Sequence, residues 1–247
     1  MISTTGLSRK FGDFVAVDNL NLEVPGGGIC AFLGPNGAGK STTVKILTGT
    51  LAASAGSAIV AGVDVARDPL ALRRSIGVLP EDLGLFDALT IEEHLFMSGP
   101  IYGLSRSETR ERADELLRAL ALDNRRDTFL GQCSYGMRKK TSLALALLHN
   151  PKVLFLDEPF EGIDPVTSRT ILNLLQRLAS TGVTIFLTSH ILELVERLAK
   201  QVVVIQHGRI VWNTAVSELP KPLEELYLEL VGAPEEEELA WLGLPPS

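Results

Sequence analysis

The chain has 247 residues, 45% of them apolar and 21% charged, with a formal net charge of −7. At this length about 70–75% of the unfolded surface can be buried, so one large domain, or a core carrying an inserted subdomain, is expected. No run approaches the roughly 18–20 uninterrupted apolar residues of a membrane span, and the start MISTTGLSRKFGDF lacks the apolar segment of a signal peptide.

The expectation is a cytoplasmic protein that reaches a membrane only through a partner. Eight Glu and one Lys lie after residue 217, while the residues before them hold 22 acids and 22 bases. The acidity therefore belongs to the tail. A charge-balanced body offers no broad basic face, and no nucleic-acid partner is expected. Cys30 and Cys133 stand alone in the sequence. They read as small apolar residues rather than as a metal pair or a disulfide.

In chain order, Ile29–Leu33 is the first short run of a buried strand, rich in apolar residues without alternation. It leads into Gly34-Pro35-Asn36-Gly37-Ala38-Gly39-Lys40-Ser41, followed by the helical TTVKILTGTL. This is G-x-x-x-x-G-K-[ST] between a strand and a helix, the layout that phosphate binding needs. Glycines let backbone N–H groups close on phosphate oxygens, and the helix N-terminus adds a favourable potential. Lys40 can neutralise β- and γ-phosphates, and the Ser41 hydroxyl can ligate Mg²⁺.

Ile76–Leu79 reads as another strand, with Pro80-Glu81 after it. From about 87 to 150 the texture changes. Thr90 with Glu93, and Ser105 with Glu108, are capping-box patterns, and Ala113, Leu116, Leu117 and Leu120 recur at helical spacing. A helical subdomain inserted in an α/β core is expected there. Near its end, Cys133-Ser134-Tyr135-Gly136-Met137 precedes a long apolar segment. A hydroxyl and a glycine at a helix start suit either an ordinary cap or an anion site.

Val153–Leu156 is a third buried strand and ends in Asp157-Glu158. Ligands bind at such strand ends in open α/β folds. Asp157 can hold Mg²⁺ through water, and Glu158 can polarise an attacking water. The bland alternative is a solvated acid pair. Asp164-Pro165 reads as a helix N-cap with Pro at the first position. Val183–Leu187 is the next strand, ahead of His190, which is either a polar cap or a donor to a phosphate. Val202–Ile205 and the following IVW flank a turn at His207-Gly208, a closing hairpin. In the tail, Leu223, Leu226, Tyr227 and Leu230 make one face of an amphipathic helix. Glu235–Glu238 reads as a solvated face.

Taken in order, Phe11, Gly34–Thr42, Glu81, Ser134–Gly136, Asp157-Glu158, Asp164 and His190 resemble the nucleotide-binding subunit of an ATP-binding cassette (ABC) transporter. The likeness spans about Leu7 to Trp212. It implies an α/β P-loop NTPase with a RecA-like parallel core, a small antiparallel β part and the helical insertion. It implies an ATPase domain over 1–217 and an acidic amphipathic tail over 218–247. The resemblance gives Phe11 the adenine stack and Gly34, Pro35, Asn36, Gly37, Ala38, Gly39, Lys40, Ser41 and Thr42 the nucleotide loop. Ser41, Glu81 and Asp157 become the Mg²⁺ ligands, Glu158 the catalytic carboxylate and His190 the switch histidine. Ser134, Tyr135 and Gly136 become the signature that contacts ATP on a second cassette, and Asp164 the loop between the two sites.

Two positions depart from the family pattern. Glu81 stands where Gln is usual, and Cys-Ser-Tyr-Gly-Met replaces Leu-Ser-Gly-Gly-Gln. The implied function is ATP hydrolysis by a head-to-tail homodimer that drives a separate permease, of the type that exports drugs, polysaccharides or lipids. The implied place is the cytoplasmic face of the membrane. The rival readings are a soluble ABC ATPase acting on nucleic acid or ribosomes and a nucleotide-binding regulator without turnover. The single cassette, the balanced charge, and the presence of both Glu158 and His190 count against these two.

Overall fold

The computed structural model describes residues 1–232. The acidic run Glu235–Glu238 lies outside them. Strands β1 (Ile2–Phe11) and β2 (Phe14–Val24) form an antiparallel ribbon in which Phe11 sits opposite Phe14. Its register shifts between Thr4 and Leu7, Leu7 and Arg9, and Arg9 and Lys10. Bulges of this kind break the period-two pattern, so sequence alone located no strand in these residues.

β3 (Gly28–Leu33) is buried at every position and leads through the glycine loop to α1 (Lys40–Leu47). β4 (Ala55–Val60) and β5 (Val63–Asp64) complete the first sheet, in the order β2-β1-β4-β5. α2 (Pro69–Ser75), capped by the Asp68 side chain, runs into β6 (Ile76–Leu79).

Residues 87–150 then hold α3 (Ile91–Ile101), α4 (Arg106–Ala119) and α5 (Tyr135–Leu147), with no strand between them. Both capping boxes form: the Thr90 and Ser105 side chains accept from Glu93 N–H and Glu108 N–H, and each glutamate returns a bond. α5 also packs on β6, so this helix joins the helical stretch to the core.

The rest alternates strand and helix. β7 (Val153–Leu156) precedes α6 (Pro165–Ser180), and β8 (Thr184–Thr188) precedes α7 (Leu192–Leu198). β9 (Gln201–Gln206) and β10 (Arg209–Ala215) form the expected hairpin. β8 starts one residue later than its sequence suggests, because Val183 N–H still closes the end of α6 onto Leu178 O. The second sheet has the order β10-β9-β3-β8-β7-β6, parallel except where β10 pairs antiparallel with β9.

Side chains divide by face. Phe32, Phe155, Phe186 and Val203 point into one core with α1 and the antiparallel sheet. Leu33, Leu156, Leu187 and Val204 point into the other, with α5 and α6. Each fully buried side chain of this size contributes roughly 1.5–3 kcal/mol. α8 (Leu223–Val231) buries Leu223 and Leu226 and packs on α7. Cys30 is buried and Cys133 half-buried; both are free. Among the described residues no helix is long and apolar enough to cross a membrane.

Candidate nucleotide-binding and catalytic site

The C-terminal ends of β3, β7 and β8 open on one cleft of about 750 Å³. Asn36, Gly37, Gly39, Lys40, Ser41 and Thr42 form one wall, and Glu81, Asp157, Glu158, Glu161 and His190 face them. Gly34 and Ala38 are buried in the loop's underside, with Pro35 half-buried beside them. Gly39 caps α1 at φ 106°, and a Cβ there would stand 2.4 Å from Ala16 O. Only glycine fits both the backbone and the space. Lys40 Nζ donates to Gly34 O at 2.7 Å and to Pro35 O at 3.2 Å, which holds the ammonium over the loop. The first turn of α1 presents N–H groups that have no partner inside the helix, as an anion site requires.

Opposite lies an organised acid pair. Asp157 is 7% exposed. The Thr188 hydroxyl donates to Asp157 Oδ1 at 2.6 Å and accepts from Glu158 N–H at 3.0 Å. Glu158 adopts φ 46°, a left-handed conformation uncommon outside glycine. Its Oε2 lies 3.0 Å from His190 Nδ1, a bond the ring donates when Glu158 is ionised. Burial pushes the Glu158 carboxyl above the ordinary glutamate range; His190 and Lys40 oppose that shift and Glu161 adds to it. A carboxylate that takes up a proton more readily is suited to accept one from water.

The adenine platform is less simple than the resemblance implies. Phe11 lies beneath the Arg9 guanidinium, 4.6 Å from its ring centre, and does not line the cleft. The wall at this end is made by Phe14 and Ala16 on the opposing strand.

Ser134, Tyr135, Gly136 and Asp164 also lie outside the cleft. Exposed Ser134 caps α5, with Oγ accepting from Met137 N–H at 3.3 Å. The Tyr135 ring turns back on its own chain: a Cβ on Gly162 would stand 3.1 Å from Tyr135 Cε1. Met137 packs on the core beneath. Gly136 is buried, and a Cβ there would come within 3.1 Å of Thr167 Oγ1. Its small size lets α5 press on the start of α6. Asp164 caps α6, accepting from Val166 N–H and Thr167 N–H at 3.0 Å and from the Thr167 hydroxyl at 2.6 Å. Those bonds to Thr167 hold its carboxyl below the usual aspartate range.

Three residues of the site do not stand out in the sequence: Phe14 and Glu161, which line the cleft, and Thr188, which holds Asp157. Thr188 was accessible as a hydroxyl at the end of a predicted strand, two residues before His190. The others gave no local signal.

The family profile described as ABC transporter matches residues 17–161, which include the glycine loop, Ser134–Gly136 and both Asp157 and Glu158. The chain belongs to the ABC transporter family. As an ABC ATPase it hydrolyses ATP, and the glycine loop and the facing carboxylates share one cleft. This ABC ATPase is 38% identical over 229 residues to the daunorubicin/doxorubicin resistance ATP-binding protein DrrA of Streptomyces peucetius, covering 93% of this chain and 69% of the relative. It is 37% identical over 208 residues to the Nod factor export ATP-binding protein I of a Rhizobium species, covering 84% and 68%. Among solved structures, an ATP-binding subunit of an ABC transporter aligns with TM-score 0.87 and 32% identity, covering 93% of this chain and 99% of that one. The dimeric cassette MJ0796 aligns with TM-score 0.80 at 23% identity, over 87% and 99%, a likeness of fold. These neighbours share the P-loop NTPase architecture expected from the sequence.

Proposed function

We propose that this ABC ATPase drives export through a separate membrane permease, working as a head-to-tail pair of cassettes at the cytoplasmic face. One observation carries the pairing. Groups suited to ATP and its hydrolysis share the cleft, while Ser134 at the α5 N-terminus is exposed and outside it. A second chain facing this one would bring its Ser134 to the open side of that cleft. Export is supported by the likeness to DrrA and to the Nod factor export protein.

ATP is the substrate. Mg²⁺ fits the oxygen donors: the Ser41 hydroxyl, Asp157 and Glu81 line the same cleft, and Mg²⁺ favours oxygen ligands. When bound, the ion neutralises charge on the β- and γ-phosphates. The chain's own residues supply the rest. The loop N–H groups and Lys40 hold the phosphates. Thr188 fixes Asp157. Glu158 takes the proton of the attacking water, and His190 orients Glu158. Phosphoryl transfer is governed mainly by such positioning and by charge stabilisation.

The test is purification from membranes through this subunit. A membrane-spanning subunit should come with it, and its presence in lipid vesicles should raise Mg²⁺-dependent ATPase activity. Recovery only on ribosomes or DNA would sink the transporter reading.

A further inference from the structure

Lys139 lies one turn beyond Tyr135 in α5 and is 1% exposed. A lysine is almost never fully buried unless its ammonium is engaged. Here Nζ donates to Glu158 O at 2.6 Å and to Glu161 O at 2.8 Å. The Tyr135 ring covers it, 5.2 Å from Nζ, and the same ring packs on Gly162. One lysine thus grips both ends of the turn that follows the catalytic carboxylate.

That turn needs a grip. Glu158 holds a left-handed conformation that costs free energy in a residue with a Cβ, and such conformations persist only where their surroundings impose them. Its N–H is tied to the Thr188 hydroxyl at 3.0 Å, and its C=O is tied to Lys139. With both peptide groups fixed, the side chain leaves in one direction, toward His190.

We propose that Lys139 is a positioning residue, which holds the Glu158 main chain in its left-handed conformation and so aims the carboxylate, from the helix that Ser134 caps. The inference rests on Glu158 being the group that receives the proton of water.

Full-length variants are compared by Mg²⁺–ATP turnover and by equilibrium ATP binding, with Glu158→Gln alongside. Lys139→Met keeps the length and apolar stem and removes the donors. Its kcat should fall about 100-fold, as a misplacement near 1 Å does, with ATP affinity within about twofold. Lys139→Gln restores amide donors one bond shorter and should turn over at least about tenfold faster than Lys139→Met. Should the methionine variant not fold, Lys139→Asn replaces it as the amide of insufficient reach, and the same tenfold gap is expected. Wild-type turnover in a folded Lys139→Met, or equal rates for the long and short side chains, overturns the proposal. An active Glu158→Gln would instead remove the base itself, a separate failure.

Discussion

Glu158→Gln should bind ATP as the unsubstituted chain does and lose turnover by about 10²- to 10⁴-fold, the usual worth of a positioned general base. The amide keeps the shape and the bond reach toward His190 but cannot accept the proton of water. The rate–pH profile gives a second reading of the same group. Burial raises the Glu158 pKa, against the opposing pull of His190 and Lys40. The base works ionised, so turnover rises with pH on the acid limb, and that limb lies above the position an exposed glutamate would give. The stability effect has the opposite sense. A carboxyl whose pKa is raised by folding stabilises the folded chain below its unfolded pKa, and this is lost as pH climbs through the folded value. Near-normal hydrolysis by the variant would take Glu158 out of the mechanism.

Ser134→Arg should spare ATP binding by the isolated chain and reduce turnover by about 10²-fold or more, as loss of a central interface residue does. The long side chain would stand at the exposed start of α5, where the proposed head-to-tail pairing puts a second molecule's nucleotide. Removing the cap also costs roughly 1 kcal/mol of stability, so a companion variant is needed. Ser134→Asp keeps a good cap and places a carboxylate against the incoming phosphate. Its thermal stability should stay near that of the parent while turnover falls. Full activity in Ser134→Asp would mean that Ser134 serves only as a helix cap.

The parts of the site that the sequence shows are those whose chemistry is local. The glycine loop is a single run between a strand and a helix, and Asp157-Glu158 ends a single strand. Their residue types and spacing carry the meaning. The same holds for the capping boxes of α3 and α4, closed within three residues. What stays hidden depends on distant pairings. Thr188 matters because β8 sets its hydroxyl against Asp157, 31 positions away. Lys139 looks like a solvated residue in a polar stretch until folding brings the carbonyls of Glu158 and Glu161 to its ammonium. Phe14 and Phe11 are equally aromatic in sequence, and only the ribbon's geometry sets Phe14 on the cleft. The substitutions in the signature are clarified in the same way: Tyr135 leans on Gly162 and Met137 on the core, so neither side chain blocks the exposed cap at Ser134.

The composite site is tested most directly by mixing two inactive chains. A pair made of one Glu158→Gln chain and one Ser134→Arg chain holds one ruined site and one intact site if each signature serves the other chain's ATP. The intact site joins the Glu158 of the arginine variant to the Ser134 of the glutamine variant. Random mixing at equal amounts should therefore restore roughly a quarter of the wild-type ATPase rate, from one working site in the half of the dimers that are mixed. If each signature serves its own chain, both chains stay dead together, and a mixture no faster than either variant alone would contradict the head-to-tail site.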